Sequence, residues 1–221
     1  EGTTSPMVLE KDQLSWRRWH EESKDIINQL LYRSRLAQVE VNNSRKGGES
    51  HIKETLNQEQ RRAVKVVSKQ KIILLSGGPG TGKTSTIMQM LDNALYINPN
   101  LKIGIAAPTG KATRRLYESL QKGIKTIKPL HQEKLSKVSC KTIHRWLEAS
   151  ANGFAKNKRN LLSLDLLVVD EMSMVDISLM KSILDALPEN AQIILVGDHN
   201  QLPPIGSGAI WHHLHKTSTQ L

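Results

Sequence analysis

The run Gly77-Gly78-Pro79-Gly80-Thr81-Gly82-Lys83-Thr84 constrains this chain more than any other. Four glycines within six positions cannot continue a helix or a strand without cost, so the segment reads as a loop. The apolar run Ile72 to Leu75 precedes it, and a helix-forming segment, Lys83 to Tyr96, follows. Strand, glycine loop and helix in that order make a phosphate-binding loop. The glycines let successive backbone N–H groups point inward, and the helix N-terminus adds its partial positive charge. In such a loop Lys83 reaches the β and γ phosphates of ATP and the hydroxyl of Thr84 ligates Mg2+. A glycine-rich turn with a chance lysine is the alternative, and the flanking strand and helix argue against it.

Further short apolar runs, Ile103 to Ala107, Leu164 to Val169 and Ile193 to Val196, read as buried strands. Helical segments fill the gaps: one from near Asn57, then Lys111 to Gln121 and Asp176 to Leu187, the last with Asp176 as N-cap and Pro188 beyond its end. Strand and helix in alternation predict an α/β fold with a parallel sheet covered on both faces. Upstream, apolar residues from Asp12 to Leu36 recur at mostly three- and four-residue steps, which predicts an amphipathic helix or helical pair. Polar, glycine-containing Asn42 to Ser50 reads as a linker, so the expected division is a helical accessory segment over 1–50 and an α/β domain over 51–221.

Two carboxylates end the apolar run Leu166 to Val169. Asp170 is expected to hold Mg2+, directly or through water, and Glu171 to orient and deprotonate the attacking water. In an extended segment the two would point in different directions. They could instead cap a helix or loop. After Val196 comes Gly197-Asp198-His199-Asn200-Gln201-Leu202-Pro203-Pro204, where Gln201 suits a sensor linking the γ-phosphate to a second site. The alternative is that Asp198 and Gln201 only stabilise a turn.

Charge narrows the partner. The net charge is +10, and residues 111–160 hold thirteen Lys and Arg against three acids, so that the excess lies entirely there. A concentrated excess points to a polyanion, nucleic acid before membrane, although a solvated lysine-rich face would give the same count. No apolar run approaches the ~18 residues that cross a bilayer, and the start lacks a secretory pattern. The single Cys140 cannot form an intrachain disulfide, which favours a cytoplasmic location, and it is expected to be a buried small apolar residue. The chain does not begin with Met, which suggests a trimmed longer protein.

Together these segments resemble the superfamily one helicases, and within them the RecD-like branch, the α subunit of exonuclease V, over about Leu56 to Ile210. The resemblance implies a RecA-like first motor domain of an ATP-dependent helicase in recombination and repair. It implies that Gln60, in Leu56-Asn57-Gln58-Glu59-Gln60, reads the adenine, although Asn57 and Gln60 also make a plausible capping box. Ala106 to Leu116 and Thr142 to Leu147 look like the family's motifs Ia and Ib, which face single-stranded DNA. Thr109, Lys111, Arg114 and His144 are the contacts so implied, whereas Trp146 reads as core. Other subunits of an exonuclease V-type complex are candidate partners. The family's later motifs should follow Ile210, so residues 1–221 alone are expected to bind nucleotide without unwinding DNA. The alternatives are an RNA helicase of the same superfamily and a non-catalytic nucleotide switch. Nothing in the residues selects for the 2′-hydroxyl, and the carboxylate of Glu171 weighs against a pure switch.

Overall fold

The computed structural model describes residues 5–10, 13–41, 56–201, 210, 211 and 214. The linker expected at Asn42 to Ser50 and the segment Leu202 to Ile205 lie outside the described residues. In chain order the elements are β1 (Met7–Glu10), β2 (Gln13–Trp16), α1 (Arg17–Val41), α2 (Gln58–Val66), β3 (Ile72–Ser76), α3 (Lys83–Ile97), β4 (Ile103–Ala107), α4 (Gly110–Gly123), α5 (Pro129–Ser136), β5 (Ser139–Thr142), α6 (Ile143–Trp146), β6 (Ala149–Ser150), β7 (Gly153–Phe154), β8 (Leu166–Val169), α7 (Ile177–Ala186) and β9 (Gln192–Gly197).

Five strands form one sheet in the order β3-β9-β8-β4-β5, every pairing parallel. Its central strands are buried on both faces, and alternation sends their side chains to two separate cores. Ile105, Leu166, Val168, Ile194 and Val196 join the core beneath α2, α3 and α4. Ala106, Leu167, Val169, Ile193 and Leu195 join the core beneath α6 and α7. This is the α/β sheet that the apolar runs predict, with helices on both faces.

Several elements depart from expectation, the short β6–β7 hairpin among them. The segment expected to be helical from Asp12 begins as a β-hairpin, with Met7 opposite Trp16 and Leu9 opposite Leu14, and the helix starts only at Arg17. Leu14 and Trp16 are two apart, a strand period as well as part of a helical stripe, and tertiary pairing decides between them. β5 was not foreseen, because Ser139, Cys140, Lys141 and Thr142 form an edge strand with no apolar run.

Helix α1 is packed on α7. Ile26 is fully buried and Leu30 nearly so in the same core as Met180, Ile183 and Leu184. Around that seam Ser178 Oγ donates to Glu22 at 2.7 Å, and Lys181 bridges Asp25 and Asp185 at 3.2 and 2.6 Å. Among the described residues no helix is long and apolar enough to cross a membrane.

Candidate nucleotide and nucleic-acid site

The loop expected to bind phosphate leaves β3 at Ser76 and enters α3 at Lys83. Gly77 N–H donates to the Gly197 carbonyl at 3.2 Å, which ties the loop to the end of β9, and Thr81 Oγ1 donates to the Gly78 carbonyl at 2.9 Å. A Cβ on Gly77 would lie 2.7 Å from that Thr81 oxygen, so the loop closes only around glycine. Gly82, the residue before the helix, is left-handed at φ 83°, and a Cβ there would meet Gln60 Nε2 at 2.8 Å. Lys83 folds back across the loop and donates to the carbonyls of Gly77 and Gly78 at 2.5 and 2.9 Å. Pro79, Gly80 and Thr81 form the exposed crest, while Thr84 is half-buried in the first turn of α3.

Gln60 touches that loop and also closes a capping box. It donates its backbone N–H to Asn57 Oδ1 at 2.8 Å, and its Oε1 accepts from Asn57 N–H at 3.1 Å. Its Nε2 faces Gly82. The capping role and a place beside the nucleotide loop therefore coexist in one side chain, with the acceptor end used by the cap.

The acidic pair lies one strand beyond the neighbour of β3, because β9 inserts between β3 and β8. At ~4.8 Å per strand the ends of β3 and β8 are about 10 Å apart, room for a phosphate between them. Asp170 N–H donates to the Ala106 carbonyl at 2.9 Å, but the strand ends at Val169. Strand alternation does not govern the two acids, because Glu171 is left-handed, at φ 56° and ψ 44°. A non-glycine residue held there is strained, and such strain gathers at functional sites. A 3-10 turn, Met172–Met174, follows and is closed by Met174 N–H on the Glu171 carbonyl at 2.9 Å.

Burial pushes the Asp170 carboxyl above its ordinary value. The Glu171 N–H, donating to Asp170 Oδ1 at 2.8 Å, pulls it back down, the Glu171 carboxylate adds to the rise, and the ammonium of Lys83 opposes it. A buried carboxylate of this kind is stabilised by a nearby cation. Mg2+ is usually held through one or two carboxylates plus phosphate oxygens, and Asp170 and the Thr84 hydroxyl are the side chains of that chemistry that could hold it beside a nucleotide.

Behind the pair, Gln201 is held by a residue that the sequence reading passed over. Ser173, buried in the 3-10 turn, donates from Oγ to Gln201 Oε1 at 2.7 Å. Asp198 does stabilise the turn, since its Oδ1 accepts from Asn200 N–H at 2.9 Å. Ser76 Oγ, at the end of β3, lies 2.9 Å from His199 Nδ1, a second link between the loops after β3 and β9. The partner of each serine lies more than twenty residues away, so local order gives neither a role.

The residues expected to face DNA scatter along the same sheet edge. Arg114 lines an open groove of about 430 Å3 with Thr113, Tyr117, Lys141 and Arg145. Thr109 caps α4, accepting from Ala112 N–H at 3.2 Å. Lys111 is exposed in the first turn of α4 and His144 is exposed with its ring edge-on to Phe154; neither lines the groove. Trp146 is core-facing, as expected, with Nε1 donating to the Ile105 carbonyl at 2.9 Å and Lys141 stacked over its ring. Cys140 is half-buried, and burial followed by the charge of Asp170 pushes its thiol up to about 11, which leaves it inert.

A parallel sheet with a glycine loop closing its first strand into a helix, and an acidic pair two strands away, defines a RecA-like P-loop nucleoside triphosphatase domain. The chain belongs to the AAA domain family, whose model matches residues 60–207. The resemblance to RecD-like proteins holds along nearly the whole chain. It is 38% identical over 215 residues to the RecBCD enzyme subunit RecD of Buchnera aphidicola subsp. Acyrthosiphon pisum, covering 95% of this chain and 35% of that protein. It is 37% identical over 153 residues to the ATP-dependent RecD2 DNA helicase of Deinococcus radiodurans, covering 69% of this chain and 19% of that one. The chain thus spans about a third or less of the length of these relatives. Among solved structures it aligns with a Pif1 helicase from a study of unwinding at forked duplex DNA, with TM-score 0.46 and 19% identity, covering 73% of this chain and 38% of the other.

Proposed function

We propose that residues 51–221 are the first motor domain of an ATP-dependent DNA helicase acting in recombination and repair, with residues 1–50 an accessory segment and linker. The observation that carries this reading is the pairing of Lys83 in the glycine loop with a strained Glu171 two strands away, beside a sensor glutamine. Identity to proteins named RecD and RecD2 DNA helicase supports the choice of DNA. Other subunits of an exonuclease V-type complex are the candidate protein partners, and the cytoplasm is the expected location.

In this mechanism the backbone N–H groups from Gly77 to Gly82 receive the phosphates, and Lys83 exchanges the carbonyls of Gly77 and Gly78 for β and γ oxygens. Gln60, whose Nε2 lies beside Gly82, donates to the base. Asp170 and Thr84 would hold Mg2+, which when bound supplies charge neutralisation at the phosphates. Glu171 takes a proton from the attacking water. Gln201 donates toward the γ-phosphate and reports its loss through the loop after β9. Single-stranded DNA runs across the sheet edge, with Arg114, Lys141 and Arg145 on its phosphates and Thr109, Lys111 and His144 alongside. The arginine that completes the charge stabilisation comes from a second motor domain.

A second reading, an RNA helicase, uses the same groove. The deciding experiment measures ATP hydrolysis by the full-length enzyme with single-stranded DNA or RNA of equal length. Stimulation by DNA well above that by RNA is expected. Equal or greater stimulation by RNA would replace the DNA reading, and no hydrolysis under any condition would leave a nucleotide switch.

A further inference from the structure

We propose that Ser173 is a positioning residue that turns Gln201 donor-first toward the nucleotide and couples the base loop to the sensor loop. The proposal rests on the reading of Glu171 as base and Gln201 as sensor. Ser173 is 2% exposed, so its hydroxyl must find a partner inside the protein. The partner is Gln201 Oε1, 2.7 Å away and 28 residues along the chain. Gln201 itself lies in an exposed turn, where its backbone N–H makes a long 3.4 Å bond to the Asp198 carbonyl. A free glutamine at such a place would sample many rotamers and present either end of its amide.

The chemistry of the amide makes the choice matter. Phosphate oxygens accept hydrogen bonds, so a glutamine that offers its carbonyl repels them while one that offers NH2 attracts them. By engaging Oε1, Ser173 leaves Nε2 as the end available to an anion. The placement of Ser173 adds coupling. It sits two residues after Glu171 within the 3-10 turn that Met174 N–H closes on the Glu171 carbonyl at 2.9 Å. A shift of Glu171 as its water reacts is therefore carried by a rigid turn to Ser173, and by one hydrogen bond to Gln201.

The test is a double-mutant cycle in the full-length enzyme: Ser173→Ala, Gln201→Ala and both together, reading kcat and KM for ATP with and without single-stranded DNA, with thermal unfolding alongside. Each single substitution is expected to lower the DNA-stimulated kcat roughly 10-fold with KM for ATP unchanged, and the double substitution to lower it no further. A double mutant near 100-fold down, a Ser173→Ala enzyme at the wild-type rate, or a loss that follows unfolding of Ser173→Ala while Gln201→Ala is fully active would overturn it. Glu171→Gln run in parallel separates the two levels: if that enzyme still turns over, the reading of Glu171 fails independently of Ser173.

Discussion

The ammonium of Lys83 donates to the carbonyl of Gly77 at 2.5 Å, with the Gly78 carbonyl a second acceptor at 2.9 Å. The lysine is thus held inside the loop by groups that a phosphate would displace. In the proposed mechanism it meets the nucleotide already oriented, and binding exchanges neutral acceptors for anionic ones, which are the stronger partners. Lys83→Ala should therefore weaken ATP–Mg2+ binding by roughly 10- to 100-fold, the size of a hydrogen bond to a charged group. Titration with a fluorescent ATP analogue measures it, and an unchanged affinity would remove Lys83 from the site.

In the proposed mechanism Glu171 serves a different step. Its left-handed backbone ends the extended run at Asp170, and in that mechanism its carboxylate acts on water while Asp170 would hold the metal. Glu171→Gln keeps shape and removes the base. Nucleotide affinity should stay within about threefold, and turnover should fall ~10²-fold or more. Stopped ATPase and equilibrium binding on one preparation make the comparison, and parallel losses in both would refute the assignment.

Asp170 links the site to stability. Burial raises its pKa, so the folded state binds a proton more tightly than the unfolded chain. The destabilisation due to its charge is then present above the folded pKa and is relieved as pH falls through that value toward the unfolded one. At neutral pH Asp170→Asn should raise the melting temperature of the nucleotide-free protein while abolishing the stabilisation that Mg2+–ATP gives the native chain. Scanning calorimetry at pH 7 with and without Mg2+–ATP reads both effects. A lower melting temperature in the variant would mean that the Glu171 N–H and Lys83 outweigh the burial.

How much of this was legible in the sequence depended on where each signal lay. Strands β4, β8 and β9 are buried on both faces, so their apolar runs appear in the sequence almost residue for residue, and the glycine loop announces itself by composition. β5 stayed hidden because an edge strand of Ser139 to Thr142 buries too little to leave a run. The hairpin before α1 stayed hidden because Leu14 and Trp16 satisfy two periods at once. In the site, Lys83, Asp170 and Glu171 are set by local order, whereas the Ser173–Gln201 bond depends on two loops meeting across the sheet. The guanidinium fork of Arg33, which donates to four backbone carbonyls from Leu184 to Glu189, is likewise a product of packing that no local pattern encodes.

That fork bears on what the N-terminal helix is for. Arg33 is 2% exposed, and its guanidinium donates to the carbonyls of Leu184 at 3.2 Å, Leu187 at 2.7 Å, Pro188 at 2.5 Å and Glu189 at 3.1 Å. Leu184 lies in the last turn of α7 and Leu187 is its C-cap, where a helix leaves carbonyls without internal partners, while Pro188 and Glu189 belong to the turn that follows; a cation there also meets the negative end of the helix dipole. Burial lowers the Arg33 pKa and Glu189 opposes this, but a guanidinium retains its charge in a protein. Arg33→Ala would strand several carbonyls beside an emptied space and release the seam that buries Ile26 and Leu30 on α7. The expected cost is about 2–4 kcal/mol, or a melting point lowered by roughly 5–15 °C at ~2–4 °C per kcal/mol for a domain of this size. Arg33→Lys keeps the charge but has no planar fork, so it should fall between the two. Chemical denaturation of the three proteins provides the measurement. An alanine variant within ~0.5 kcal/mol of the native chain would mean that α1 only rests on the motor fold, whereas the expected loss would make it part of the core that supports Glu171 through α7.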